Sequence, residues 1–69
     1  MRVRFVTSEW EFSNGRKPRG EGCWAFEFEG SAPWFAPGCL SFGEAKRAAA
    51  EEARRRFPNA PVVEVTVCP

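Results

Sequence analysis

The chain has no histidine and no tyrosine, a single methionine, and three cysteines, Cys23, Cys39 and Cys68, that form no Cys-x-x-Cys pair. Without imidazole, the usual general acid–base group at neutral pH is missing, and a tetrahedral zinc site drawn from this chain alone would need a carboxylate as its fourth ligand. No metal site and no cofactor are expected. No apolar run approaches the roughly 18 residues that a membrane span requires, and Met1-Arg2-Val3-Arg4-Phe5 gives way to Ser8-Glu9 where a signal peptide would stay apolar. A cytoplasmic location is therefore expected, with no membrane partner. Reduced thiols are the expected state of the odd cysteine set. The alternative is one bridge, from Cys23 to Cys68, both in phase with the outward-facing positions Glu27 and Glu64.

What the chain does have is rings. Three Trp and seven Phe stand among 69 residues. A domain of this size buries only about 60% of its unfolded surface, so large aromatic side chains, each removing about 150–250 Å² from water, must supply most of the core. One domain spanning residues 1–69 is expected, with no internal repeat and no low-complexity segment. The formal net charge is +1, but it is unevenly spread. Residues 1–20 carry Arg2, Arg4, Arg16, Lys17 and Arg19 against Glu9 and Glu11, whereas residues 21–43 carry only Glu21, Glu27 and Glu29. The basic excess is local, unlike the global excess of a typical nucleic-acid module.

Ser41 and Glu44 have the three-residue spacing of a capping box, which satisfies free N–H groups in a first helical turn. A helix over about 42–57 follows. Phe42, Ala45, Ala49, Ala53 and Phe57 share one arc of its wheel, with Arg47, Glu51 and Arg55 opposite. Lys46 intrudes on the apolar arc and is expected to snorkel to its edge. Arg54, Arg55 and Arg56 occupy the last turn, where the helix dipole favours positive charge.

Trp24, Phe26 and Phe28 alternate with Cys23, Ala25, Glu27 and Glu29, which stacks large rings on one face of a strand over residues 22–29. Val3 and Phe5 are in phase on a first strand. Trp10 and Phe12 have the opposite parity, so a bulge near Thr7-Ser8 is expected to re-phase that strand. The stretch from Ser13 to Glu21 is turn chemistry throughout and reads as the tip of a hairpin joining these strands. Trp34-Phe35 forms a weak edge strand hemmed by Pro33 and Pro37. Val62 to Val67 is a β-branched last strand. The fold class is α+β: a three- to four-stranded, mainly antiparallel sheet packed on one helix, in the order β-β-(β)-α-β.

No catalytic set emerges. The Ser41 hydroxyl is committed to the helix cap, and Glu27 and Glu29, about 7 Å apart on one strand face, are expected to pair across strands with Arg2 and Arg4 or with neighbours of Glu64. Two features exceed what folding requires. Arg16, Lys17 and Arg19 set three cations in one turn, suited to phosphate or an acidic protein surface. In Pro33-Trp34-Phe35-Ala36-Pro37 adjacent rings must point to opposite sides, so one of Trp34 and Phe35 faces away from the core.

Gly22 to Phe28, the extended Trp34-Phe35 and the helix opening at Ser41-Phe42-Gly43-Glu44-Ala45 together resemble the three-stranded sheet plus alanine-rich helix of integrase-arm and plant ethylene-response DNA-binding domains. The resemblance covers residues 2–57 and implies Arg and Trp on an open sheet face that enters the major groove. Strand two here presents Cys23, Ala25, Glu27 and Glu29 outward, beside Arg2 and Arg4. In its organisation the chain also resembles small phage-encoded inhibitors, including anti-CRISPR proteins: few strands, one helix, no catalytic set and an exposed mixed-charge surface. That likeness implies steric or mimicry blocking of a nucleic-acid-handling machine.

The expected function is thus a non-enzymatic interaction module whose partner-binding residues are Arg16, Lys17, Arg19, Trp34 and Phe35. Its expected partner is a protein or protein–nucleic-acid complex. A nucleic-acid-binding domain using the basic tip and sheet face is the first alternative, and a subunit that self-associates through an open edge strand is the second.

Overall fold

The computed structural model describes residues 1–38 and 40–69; Cys39 lies outside the described residues. Among the described residues eight elements follow in order: β1 (Arg2–Val6), α1 (Ser8–Asn14), β2 (Glu21–Gly22), β3 (Ala25–Phe28), β4 (Trp34–Phe35), β5 (Leu40–Ser41), α2 (Phe42–Arg56) and β6 (Val62–Val67). The class is α+β, as the alternating rings and the capped alanine helix require.

Helix α2 starts where its capping box places it. The Glu44 N–H donates to Ser41 Oγ at 3.2 Å, and the Ser41 N–H donates to Glu44 Oε1 at 3.2 Å. Ala45, Ala49 and Ala53 are fully buried in one core with Phe26, Phe28, Val63, Val65 and Val67. Methyl-sized side chains allow the helix axis to approach the sheet closely enough to exclude water from both. Lys46 runs along the rim of this layer, its ammonium 5.1 Å from the Phe5 ring and 5.6 Å from the Phe42 ring. At the other end Glu52, 8% exposed, binds Arg55 and, at 2.7 Å, Arg56 Nε, while the Arg56 guanidinium lies 4.8 Å over the Phe28 ring.

The main sheet has the order β1-β6-β3-β4, with a separate two-stranded ribbon β2-β5. Pairings β6–β3 and β3–β4 are antiparallel, but β1 lies parallel to β6, with Val3 beside Val63 and Phe5 beside Val65. The expected element order is therefore corrected. The first strand is not hairpinned to the second; it crosses to the last, so that Val3 and Phe5 extend the valine rows of β6.

Three further corrections follow from one change. After Val6 the chain does not bulge and continue as a strand; it coils into α1, whose first turn is closed by the Glu11 N–H to the Thr7 carbonyl at 2.9 Å. Trp10 and Phe12, two residues apart in a helix, point to nearly opposite sides, so Trp10 is 7% exposed and Phe12 93%. Gly15 takes a positive φ as the left-handed cap of α1. The cationic segment is accordingly a helix-to-strand connection and not a hairpin tip. The single long strand over residues 22–29 also divides, because the chain leaves the ribbon at Gly22 and joins the main sheet at Ala25. The hairpin that does form joins β3 to β4: Glu29 and Gly30 both have positive φ, and the Ser31 N–H donates to the Phe28 carbonyl at 2.9 Å. These are the marks of a type I′ turn.

Candidate binding surface

Trp24 organises one end of the molecule. Its ring lies 5.4 Å from that of Trp10 and 4.7 Å from that of Phe42, and its indole N–H donates to the Gly20 carbonyl at 3.2 Å. The same Gly20 carbonyl accepts the Phe42 N–H at 3.0 Å, and the Trp24 carbonyl accepts the Ala36 N–H at 3.0 Å. Gly20, in the cationic connection, is therefore tied both to the Trp24 indole and to the first turn of α2, and the end of β4 is tied to the Trp24 backbone. Residues 16–19, joined to Trp24 through Gly20, and Phe35, opposite Ala25, lie toward the same end of β3.

Arg16, Lys17 and Arg19 are exposed. The Arg16 guanidinium is held 5.0 Å above the Trp10 ring, a stacking arrangement that limits the rotamers of a long side chain. Arg16 and Arg19 flank a cleft of about 210 Å³ lined by Glu21, Gly22 and Cys23, with the Trp10 and Trp24 indoles beneath. Two arginines, one glutamate and two indoles line this cleft, a set in which the guanidiniums can hold an anion.

The two adjacent rings of β4 divide as the extended backbone demands. Trp34 is half-buried, 6.3 Å from Phe26 and 5.8 Å from Phe28, and belongs mainly to the core. Phe35 is 68% exposed and stands opposite Ala25 on the sheet face that α2 does not cover. Of the predicted contact residues, Arg16, Lys17, Arg19 and Phe35 present a surface, while Trp34 supports it from beneath.

Phe12 was not anticipated. It projects from α1 beside a shallow concavity of about 340 Å³ formed with Ser8, Glu9, Ser13 and Pro69. A helical reading of residues 8–14 finds it, since a ring two positions from a buried Trp must then face solvent.

Away from Phe35 the open sheet face carries charge. Arg4 pairs with Glu64 at 3.7 Å, both exposed, and the Glu64 N–H donates to Glu29 Oε1 at 3.3 Å. Glu29 thus sits in the β3–β4 turn as an acceptor for β6, and Glu64, not Glu27 or Glu29, is the partner of Arg4. Burial pushes the Cys68 thiol up, assisted by the carboxylates of Glu27 and Glu9, so it stays protonated at neutral pH. Cys23 and Cys68 are not bridged to one another. No group of carboxylates and thiols among the described residues has the arrangement of a metal site, and no described helix is long and apolar enough to cross a membrane. Comparison of the chain with protein-family models, curated proteins and solved structures found no match.

Proposed function

We propose that the protein is a non-enzymatic binding module that engages an acidic surface of a macromolecular partner through Arg16, Lys17 and Arg19, with Phe35 as the neighbouring apolar contact. The observation that carries this reading is the fastening at Trp24. The Trp24 indole N–H donates to the Gly20 carbonyl and the Trp24 backbone carbonyl accepts the Ala36 N–H, which positions a cationic loop and an exposed ring at one end of the sheet. Arg16, already stacked on Trp10, loses little freedom on contact, so more of its attraction survives as affinity. The organisational likeness to small phage-encoded inhibitors implies blocking of a nucleic-acid-handling machine, and that is the role we assign to it.

A direct contact with nucleic acid is the second reading, favoured by the stacking of Arg16 on Trp10 beside Arg19. It involves the loop and not the sheet: Glu27, Glu29 and Glu64 on the open face would be set against phosphates. Both readings are tested by charge reversal of Arg16, Lys17 and Arg19 together. The probes are a polyglutamate peptide, a duplex DNA and a single-stranded DNA, each titrated at several salt concentrations. The leading reading expects peptide binding that the triple variant loses at an unchanged melting temperature. Equal binding by both proteins rejects the surface. DNA binding without peptide binding, with a log–log salt slope of roughly 0.9 per cation engaged on duplex, moves the assignment to nucleic acid.

A further inference from the structure

The two edges of the main sheet are not alike. On the β4 side the edge strand is two residues long and flanked by Pro33 and Pro37, which blunts it against further pairing. On the β1 side the edge strand has five residues, with no proline and no described strand beyond it. Its hydrogen-bonding phase is fixed at the start, because the Arg2 N–H donates to the Pro61 carbonyl at 2.9 Å. In a parallel ladder alternate residues bond the same neighbour, so Arg2, Arg4 and Val6 face β6. The N–H and C=O groups of Val3 and Phe5 consequently point away from the sheet.

Side chains along this edge alternate in chemistry as well. Val3 and Phe5 are half-buried and continue the apolar layer under α2, where the Lys46 ammonium lies over Phe5. Arg2 and Arg4 are exposed on the opposite face. Among the described residues Arg2 has no ion-pair partner, and Arg4 has only the exposed contact with Glu64 at 3.7 Å.

We infer that β1 is a second docking site, which accepts an extended partner segment of alternating acidic and apolar residues as a fifth strand of the sheet. Backbone groups of the segment pair with Val3 and Phe5. Its apolar side chains lie beside Val3, Phe5 and the stem of Lys46, and its carboxylates stand across from Arg2 and Arg4. Opposite charges directly across a strand pair attract, and like charges there repel. A second copy of the chain fits poorly for that reason: antiparallel pairing about Val3, or about Arg4, sets arginine against arginine. Pairing about Phe5 escapes this only by shortening the ladder.

The test uses the full isotope-labelled chain and capped synthetic peptides, followed by heteronuclear NMR and amide exchange. An alternating Glu-Val peptide is expected to slow exchange at Val3 and Phe5 while leaving the already bonded Arg2 and Arg4 amides unchanged. The same peptide N-methylated at alternate residues is expected to lose binding. An R2E/R4E variant, confirmed folded by its melting temperature, should bind the Glu-Val peptide about tenfold more weakly and prefer a Lys-Val peptide. Three outcomes overturn the inference: no change at Val3 and Phe5 at millimolar peptide, equal binding of acidic and basic peptides, or protection of those amides in a peptide-free dimer seen by sedimentation. The N-methyl comparison needs no variant, so it decides the matter even where R2E/R4E fails to fold.

Discussion

Replacing Trp24 with Phe separates the two things this residue does. The indole packs between Trp10 and Phe42, and its N–H ties Gly20 to the core. Phe keeps a ring in the site but removes about 40 Å² of buried apolar surface, worth about 1 kcal/mol at roughly 25 cal/mol per Å². Loss of the N–H bond adds about 0.5–1 kcal/mol. This figure is modest because the Gly20 carbonyl keeps its bond from the Phe42 N–H and Gly20 is open to water. The sum, about 1.5–2 kcal/mol, lowers the melting temperature by roughly 6–16 °C for a domain of this length. Thermal denaturation followed by circular dichroism measures the cost. Amide exchange across residues 16–20 measures the tether, and it should quicken at temperatures where the core amides of β6 remain protected. A stability change below about 0.5 kcal/mol would refute the packing argument. A normal loss of stability with unchanged exchange in the loop would refute the claim that Trp24 holds the cationic surface in place.

Two other outcomes follow from the helix. Ala49 has no exposed surface against the sheet, so Ala49→Leu should destabilise by about 1–3 kcal/mol through overpacking, whereas Ala→Leu at the half-exposed Ala48 should cost far less; chemical denaturation compares them. Glu44, bonded to Ser41, and Glu52, bonded to Arg55 and Arg56, both have carboxyls held below their ordinary value. Their contribution to stability is therefore present above the ordinary carboxylate range and is lost as pH falls through the lowered folded values. Melting temperatures from neutral pH down to about pH 3 should show this fall in the native chain, and an E44Q/E52Q variant should show a flatter profile over the same acid range.

Local chemistry was legible wherever a short pattern carried its own cause. Ser41 and Glu44 read as a capping box because each satisfies the other's neighbour within four residues, and no distant contact is needed. Trp24, Phe26 and Phe28 read as core because a two-residue period leaves three rings no other side to share. Trp34 and Phe35 read as a split pair on the same grounds, although which ring faced inward was decided by the register that sets Trp34 beside Phe26. Residues 8–14 were misread for a physical reason. A seven-residue helix has almost no stability of its own, and Trp10 with Phe12 also satisfies a strand parity. The N-cap of α1, Thr7, makes no side-chain cap bond, so no capping box marks this helix in the sequence.

The sequence alone determined the class of the fold, the bounds and buried arc of α2, the aromatic face of the sheet and the identity of the cationic loop, since each arises from contacts within a few residues. Only the tertiary structure decided that β1 lies parallel to β6, that Trp10 closes a helix over Trp24, and that the loop and Phe35 stand at the same end. Those outcomes depend on which distant surfaces exclude the most water together, and no local period records that choice.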